Sequence, residues 1–154
     1  MVVGVITISD TRCFDDDLTG QAVTEALRGF GFERFQTVII ADEEAQIKQA
    51  IRQFSATCDL VFTTGGTGFS PRDKTPEATA SILDRRADCL TELIHAEAPG
   101  SRLSRGVAGT IGNALIVNLP GSTASAGRAI LALGPVLNEV IAQMRGDEKA
   151  VADC

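Results

Sequence analysis

The chain of 154 residues has no tryptophan, no tyrosine and a single histidine. With aromatic residues at 5% in all, the base-stacking platforms of single-strand nucleic-acid binders are not expected. Positive charge is also short: 14 Lys and Arg stand against 20 Asp and Glu, a net charge of −6. That balance argues against nonspecific binding to nucleic acid or anionic membrane, while leaving room for a local basic pocket around a phosphorylated substrate. The four cysteines, Cys13, Cys58, Cys89 and Cys154, are widely spaced and form no CxxC, so a zinc site is not expected. Cys58, at a strand start, reads as a small core residue. No apolar run reaches membrane-spanning length. The start MVVGVITISD lacks a basic region and does not read as a signal peptide. The expectation is a cytoplasmic protein with reduced thiols and no membrane partner.

What is present is a globular composition, 44% hydrophobic, enough to bury a core without disulfides. The length fits one domain, expected over residues 1–146, with 147–154 as a disordered tail. The chain is organised around DLVFTTGGTGFSPRDKTPEAT, Asp59 to Thr79. An apolar strand runs into a glycine turn and then a helix start, the order in which α/β proteins hold an anion at the carboxyl end of a strand. Gly65, Gly66 and Gly68 permit close backbone approach. Their amides, with the hydroxyls of Thr63, Thr64 and Thr67, suit phosphate oxygens. Arg72, Asp73 and Lys74 follow, a set that fits phosphoryl or nucleotidyl chemistry with the carboxylate available to a metal ion. A glycine turn that only reverses the chain is the competing reading. A Walker A loop is excluded, because its nearest match, Gly68 to Thr75, has Asp73 where the second glycine belongs.

Around this stretch the pattern alternates. Val2 to Ile8 is an apolar β-branched run typical of a strand buried on both faces. It stops at Ser9 and Asp10, which either face a ligand at the sheet edge or serve a turn. Asp15, Asp16 and Asp17 read as a solvated loop. Leu18 to Gly31 has helical spacing through Leu18, Ala22, Val23, Ala26, Leu27 and Phe30, with Asp17 or Thr19 as cap. Phe35 to Ile40 is a second strand ending near Asp42, which is either the N-cap of the next helix, Glu43 to Phe54, or a metal-binding carboxylate. Leu60 to Thr64 is the third strand. A helix is expected over Pro76 to Arg86, with Thr75 as N-cap, and another over Leu90 to Ala98 carrying His95. Arg102, Arg105, Ser101 and Ser104 form a patch that either lines an anion pocket or faces solvent. Val107 to Ile111 and Ala114 to Leu119 pair as a hairpin about Gly112-Asn113. Pro120, Gly121 and Ser122 then lead into a last helix, Thr123 to Arg145, which Gly134-Pro135 should kink or split. The order predicts a three-layer α/β/α domain, mostly parallel with one antiparallel edge strand. The turns after its parallel strands share one edge, which would gather Asp10, Asp42 and Asp73 opposite the glycine loop.

These segments resemble a known family. ITISD, TTGGTG with PRDKTPEAT, LSRGVAG and VNLPGSTASA occur in this order and spacing in the MogA/MoaB group of molybdenum-cofactor proteins, and the likeness extends from Val3 to Gly146. The resemblance implies a molybdopterin-binding fold, usually a homotrimer. It implies magnesium-dependent transfer of AMP from ATP to the terminal phosphate of molybdopterin, giving adenylyl-molybdopterin and pyrophosphate, before a later step in which molybdate is inserted by a partner insertase. It implies catalytic and metal-holding roles for Asp42 and Asp73. Substrate contacts fall to Ser9, Asp10, Thr64, Gly65, Gly66, Thr67, Gly68, Pro120, Gly121 and Ser122. The alternative is a non-catalytic molybdopterin carrier or assembly protein of the same pathway. Two departures stand out. Arg86-Ala87-Asp88-Cys89 replaces a Pro-Gly pair present in many relatives, close to Glu92, which aligns with a frequent family acid. The Gly-Ser-Thr after Leu-Pro is nearer the MoaB-like branch.

Overall fold

Three runs, VVGVITI, LVFTT and ALIVNL, are apolar or β-branched at nearly every position, and such runs become strands covered on both faces. The computed structural model describes residues 1–11 and 14–147, without the side chain of Phe14. Its strands are β1 (Val2–Ile8), β2 (Arg34–Ile40), β3 (Leu60–Thr64), β4 (Arg85–Arg86), β5 (Ala108–Ile111) and β6 (Ala114–Leu119). The helices are α1 (Leu18–Arg28), α2 (Glu44–Ser55), α3 (Thr75–Ala80), α4 (Asp88–Glu97) and α5 (Thr123–Met144). The sheet order is β2-β1-β3-β6-β5-β4. Strands β2, β1, β3 and β6 are mutually parallel, and β5 runs antiparallel to β6 as the expected hairpin, with Ile111 opposite Ala114.

Alternation along the strands divides the core. Val3, Val5, Leu60, Phe62, Leu115 and Val117 pack with buried residues of α1, α4 and α5. Ile6, Ile8, Val61 and Ile116 pack on the other face with Ile47 and Ile51 of α2 and Ala78 of α3. This is the three-layer α/β/α arrangement the sequence predicts. Cys58 is buried in the second cluster as expected, and burial pushes its thiol above the ordinary range. Cys13 and Cys154 lie outside the described residues, as does the expected tail apart from Asp147.

Several local expectations give way to tertiary contacts. The helix expected over Pro76 to Arg86 ends at Ala80, and Arg85–Arg86 forms β4 against β5 instead. The open edge of β5 supplies ladder partners there: Asp84 N–H donates to Thr110 O and Ala87 N–H to Ala108 O, each at 2.8 Å. Gly109 lets the chain approach, since a Cβ on it would lie 2.2 Å from Arg85 O. Leu18, expected in the core, is 62% exposed. The inward face of α1 is instead Thr19, Gly20, Val23 and Leu27, turned there as Asp17 caps the helix by accepting from Gly20 N–H at 2.9 Å. Gly134-Pro135 does not split the last helix, because α5 is continuous over 22 residues. Pro135 is on the exposed side, where water can satisfy the carbonyl that a proline leaves unbonded. No helix among the described residues is long and apolar enough to cross a membrane.

Candidate functional site

Four strands that run the same way present four loops on one edge. The register aligns Ile8 with Ile40, Thr7 with Thr64, and Thr64 with Leu119, so Ser9-Asp10, Asp42, the glycine loop and Pro120-Gly121-Ser122 emerge side by side. The glycine loop is at the centre. Gly65 and Gly66 have φ of +93° and +68°, in the left-handed region where side chains are strained. A Cβ on Gly65 would meet Ile8 O at 2.4 Å. One on Gly66 would meet Thr75 Oγ1 at 2.3 Å and Asp42 Oδ1 at 3.5 Å. One on Gly68 would meet Asp73 Oδ2 at 2.8 Å. The loop is therefore packed against both candidate catalytic carboxylates.

All four loop carbonyls are tied back. Thr75 Oγ1 donates to Gly65 O at 2.9 Å, and Thr75 N–H to Gly66 O at 3.1 Å. Arg105 N–H donates to Thr67 O at 2.7 Å, and Arg105 Nε to Gly68 O at 2.7 Å. In a planar trans peptide the N–H points opposite to the carbonyl. Pinning the carbonyls of residues 65–68 thus turns the N–H groups of 66–69 away from Thr75 and Arg105, the polarity an anion cradle requires. Thr75 is not the cap the sequence suggests, since Lys74 holds that position without a side-chain bond and the Thr75 hydroxyl serves the loop. Arg105 belongs neither to an anion pocket nor to bulk solvent. Its guanidinium also donates to Asp73 O at 3.1 Å and pairs with Glu77, holding the Glu77 carboxyl below its usual range by that hydrogen bond.

The hollows follow the loop. Gly66, Thr67, Gly68 and Asp73 line a cleft of about 300 Å³ together with Pro120, Gly121 and Ser122, and Gly100, Leu103 and Ser104 complete it. Ser9, Thr64 and Gly65 line a smaller pocket of about 200 Å³, which Gly121 shares. Ser122 also caps α5, accepting from Ser125 N–H at 3.2 Å. Asp10 and Asp42 line neither hollow. Asp10 acts as a brace: Oδ1 accepts from Asp42 N–H at 3.0 Å and Oδ2 pairs with Arg72. Arg72 is thereby engaged, while Lys74 is exposed. Glu92 and His95 are exposed on α4 and line neither hollow, His95 Nε2 lying 3.0 Å from Ser104 O.

Asp42 is not a helix cap, since Glu43 occupies that position. Its Oδ1 is buried with no hydrogen-bond partner among the described residues. Burial, then the charges of Asp10 and Asp73, raise its carboxyl above the ordinary aspartate range, and Arg72 pulls the other way. An orphaned, crowded carboxylate beside a glycine loop fits a divalent cation. Among the described residues no three His, Cys, Asp or Glu side chains converge to form a complete cage. Magnesium does not need one, being held by one or two carboxylates with water and substrate phosphates.

A doubly wound sheet with a braced glycine loop and carboxylates at its carboxyl edge is an α/β domain of the class that holds ligands at that edge. Comparison with known proteins narrows this. Residues 4–139 match the family described as "Probable molybdopterin binding domain". Molybdenum cofactor biosynthesis protein B of Staphylococcus aureus is 37% identical over 150 residues, covering 91% of this chain and 89% of that protein. Molybdenum cofactor synthesis protein cinnamon of Drosophila melanogaster is 41% identical over 130 residues, 77% of this chain but 21% of the fly protein. The crystal structure of the molybdopterin biosynthesis enzyme MoaB from Thermus thermophilus superposes with a TM-score of 0.86 at 40% identity, covering 94% of this chain and 96% of that one. The chain belongs to this family, the MoaB/MogA-type proteins of molybdenum cofactor biosynthesis.

Proposed function

We propose that this protein transfers AMP from ATP to molybdopterin, giving adenylyl-molybdopterin and pyrophosphate. The observation that carries the reading is the glycine loop, with its four carbonyls pinned, packed against Asp42 and Asp73. An oxygen of the pterin's terminal phosphate attacks the α-phosphorus of ATP, and the bond from that phosphorus to the oxygen bridging to the β-phosphate breaks. Two anions must meet, so charge neutralisation and in-line positioning are what the protein has to supply. The loop amides of residues 66–69 bind phosphate oxygens. Thr75 and Arg105 hold those amides in place before the substrates arrive. Asp42 and Asp73 would hold magnesium, which offsets the phosphate charge when bound. Pro120, Gly121 and Ser122 form the opposite side of the cleft for the second substrate, and Ser9, Thr64 and Gly65 offer polar contacts in the adjoining pocket. On this reading the protein works in the cytoplasm as a homotrimer and passes its product to a molybdenum insertase.

The test mixes purified protein with molybdopterin, ATP and magnesium, and measures adenylyl-molybdopterin for the parent and for Asp73→Ala. Product from the parent and a loss of at least about 100-fold in the variant are expected. Pterin binding without product would leave a carrier, and equal rates would remove Asp73 from the mechanism.

A further inference from the structure

The two most exposed large hydrophobic side chains among the described residues are Leu103, 75% exposed, and Phe69, 73%. Leu103 lines the larger cleft, and Phe69 directly follows Gly68, which lines it too. A phenyl left in water forgoes the gain of burial, and a loop that only turned the chain would be served as well by a polar residue. One face of the ring is taken. The Arg105 guanidinium stands over it, 5.5 Å from the ring centroid, and is itself held by Gly68 O, Asp73 O and Glu77. A ring backed on one side by an anchored cation presents its other side to a second planar group.

We propose that Phe69 is the stacking platform for the planar heterocycle of a substrate, with Leu103 as a second apolar contact at the cleft. The inference rests on the adenylyl-transfer reading, in which both substrates carry such a ring, a purine in ATP and a pterin in molybdopterin. The phosphates of either are served by the glycine loop, while the residues lining the two hollows are mostly glycines and hydroxyl side chains and offer a flat ring little else. Composition points away from stacking because it counts aromatics. One anchored ring at the site is enough.

Because the chain has no Trp or Tyr, Phe69→Trp supplies a single fluorophore. It is titrated separately with ATP–magnesium and with molybdopterin, and dissociation constants for both ligands are measured by calorimetry for the parent, Phe69→Trp, Phe69→Leu and Phe69→Ala. Expected is quenching by one ligand, with that ligand bound about tenfold more weakly by the Ala and Leu variants, parent-like affinity in the Trp variant, and an unchanged Tm. Quenching by ATP assigns the purine, and quenching by molybdopterin assigns the pterin. Unchanged affinity for both ligands in Phe69→Ala overturns the platform, and an altered sedimentation coefficient in that variant would then place Phe69 in a subunit contact. A parent that binds both ligands but makes no product overturns the reaction and leaves the platform standing. A parent that binds neither overturns both.

Discussion

Burial raises the Asp42 carboxyl, and the negative charges of Asp10 and Asp73 raise it further against the pull of Arg72. A carboxyl raised on folding binds more protons in the native than in the unfolded chain, so its effect on stability turns unfavourable as pH climbs from the ordinary aspartate value through the raised one. Asp42→Asn is expected to increase Tm at pH 7 by about 1–4 °C, with the gain fading as pH falls through the raised value and gone by about pH 4, while adenylyl transfer drops at least about 100-fold. Calorimetric scans across pH beside the product assay check both halves, and an unchanged Tm at pH 7 would show the carboxylate to be relaxed. Arg105 works the other way, supporting the site and the fold together. Arg105→Ala removes bonds to Gly68 and Asp73 and the pair with Glu77. It should lower kcat about 10- to 100-fold through misplaced loop amides and lower Tm as well. Arg105→Lys restores the charge but not the planar fork, and steady-state kinetics should find it closer to Ala than to the parent.

At the level of elements, the turn that follows α1 is locked to α5 by a ring in a notch. A Cβ on Gly134 would lie 2.2 Å from two ring atoms of Phe30. Gly134→Ala is therefore expected to destabilise by about 1–3 kcal/mol in urea unfolding, and Phe30→Leu in the same chain to recover part of the loss. The elements most legible in the sequence were those whose signal is local. The strands Val2–Ile8 and Leu60–Thr64, the hairpin about Gly112-Asn113 and the Ser122 cap depend on runs, turns and single hydroxyls. The end of α3 was not legible, because the open edge of β5 draws residues 84–87 into the sheet, and nothing within TPEATASILDRR announces that partner. The same limit applied at the site. Glycines, prolines and the four strand ends marked where the loops gather. The roles of Thr75 and Arg105 were hidden, since a backbone carbonyl as partner leaves no trace in residue type, and Arg105 lies 37 residues from the Gly68 carbonyl it holds.

Across the whole molecule, the edge away from the site is closed by Asp59. Its Oδ2 accepts from Val2 N–H at 2.7 Å and its Oδ1 from Arg145 at 2.6 Å, joining the start of β1 to the end of α5. Burial alone would raise this carboxyl, but the two donors, with the charges of Arg145 and the amino terminus, outweigh it and leave it below the ordinary range. Its stabilising effect is complete above the unfolded value and is lost as pH falls through the lowered folded one. Asp59→Ala should cost about 1–2 kcal/mol at neutral pH, and the gap to the parent, followed by urea unfolding, should narrow below about pH 4. That same tie has a topological consequence. The Asp59 side chain brings residue 2 beside residue 145 on the side opposite the cleft, and the exposed Gly112-Asn113 turn opens the hairpin at that side too. Residues 2 and 145, which meet there, can be joined by a short linker and the chain reopened at the turn, without rerouting any backbone past the glycine loop.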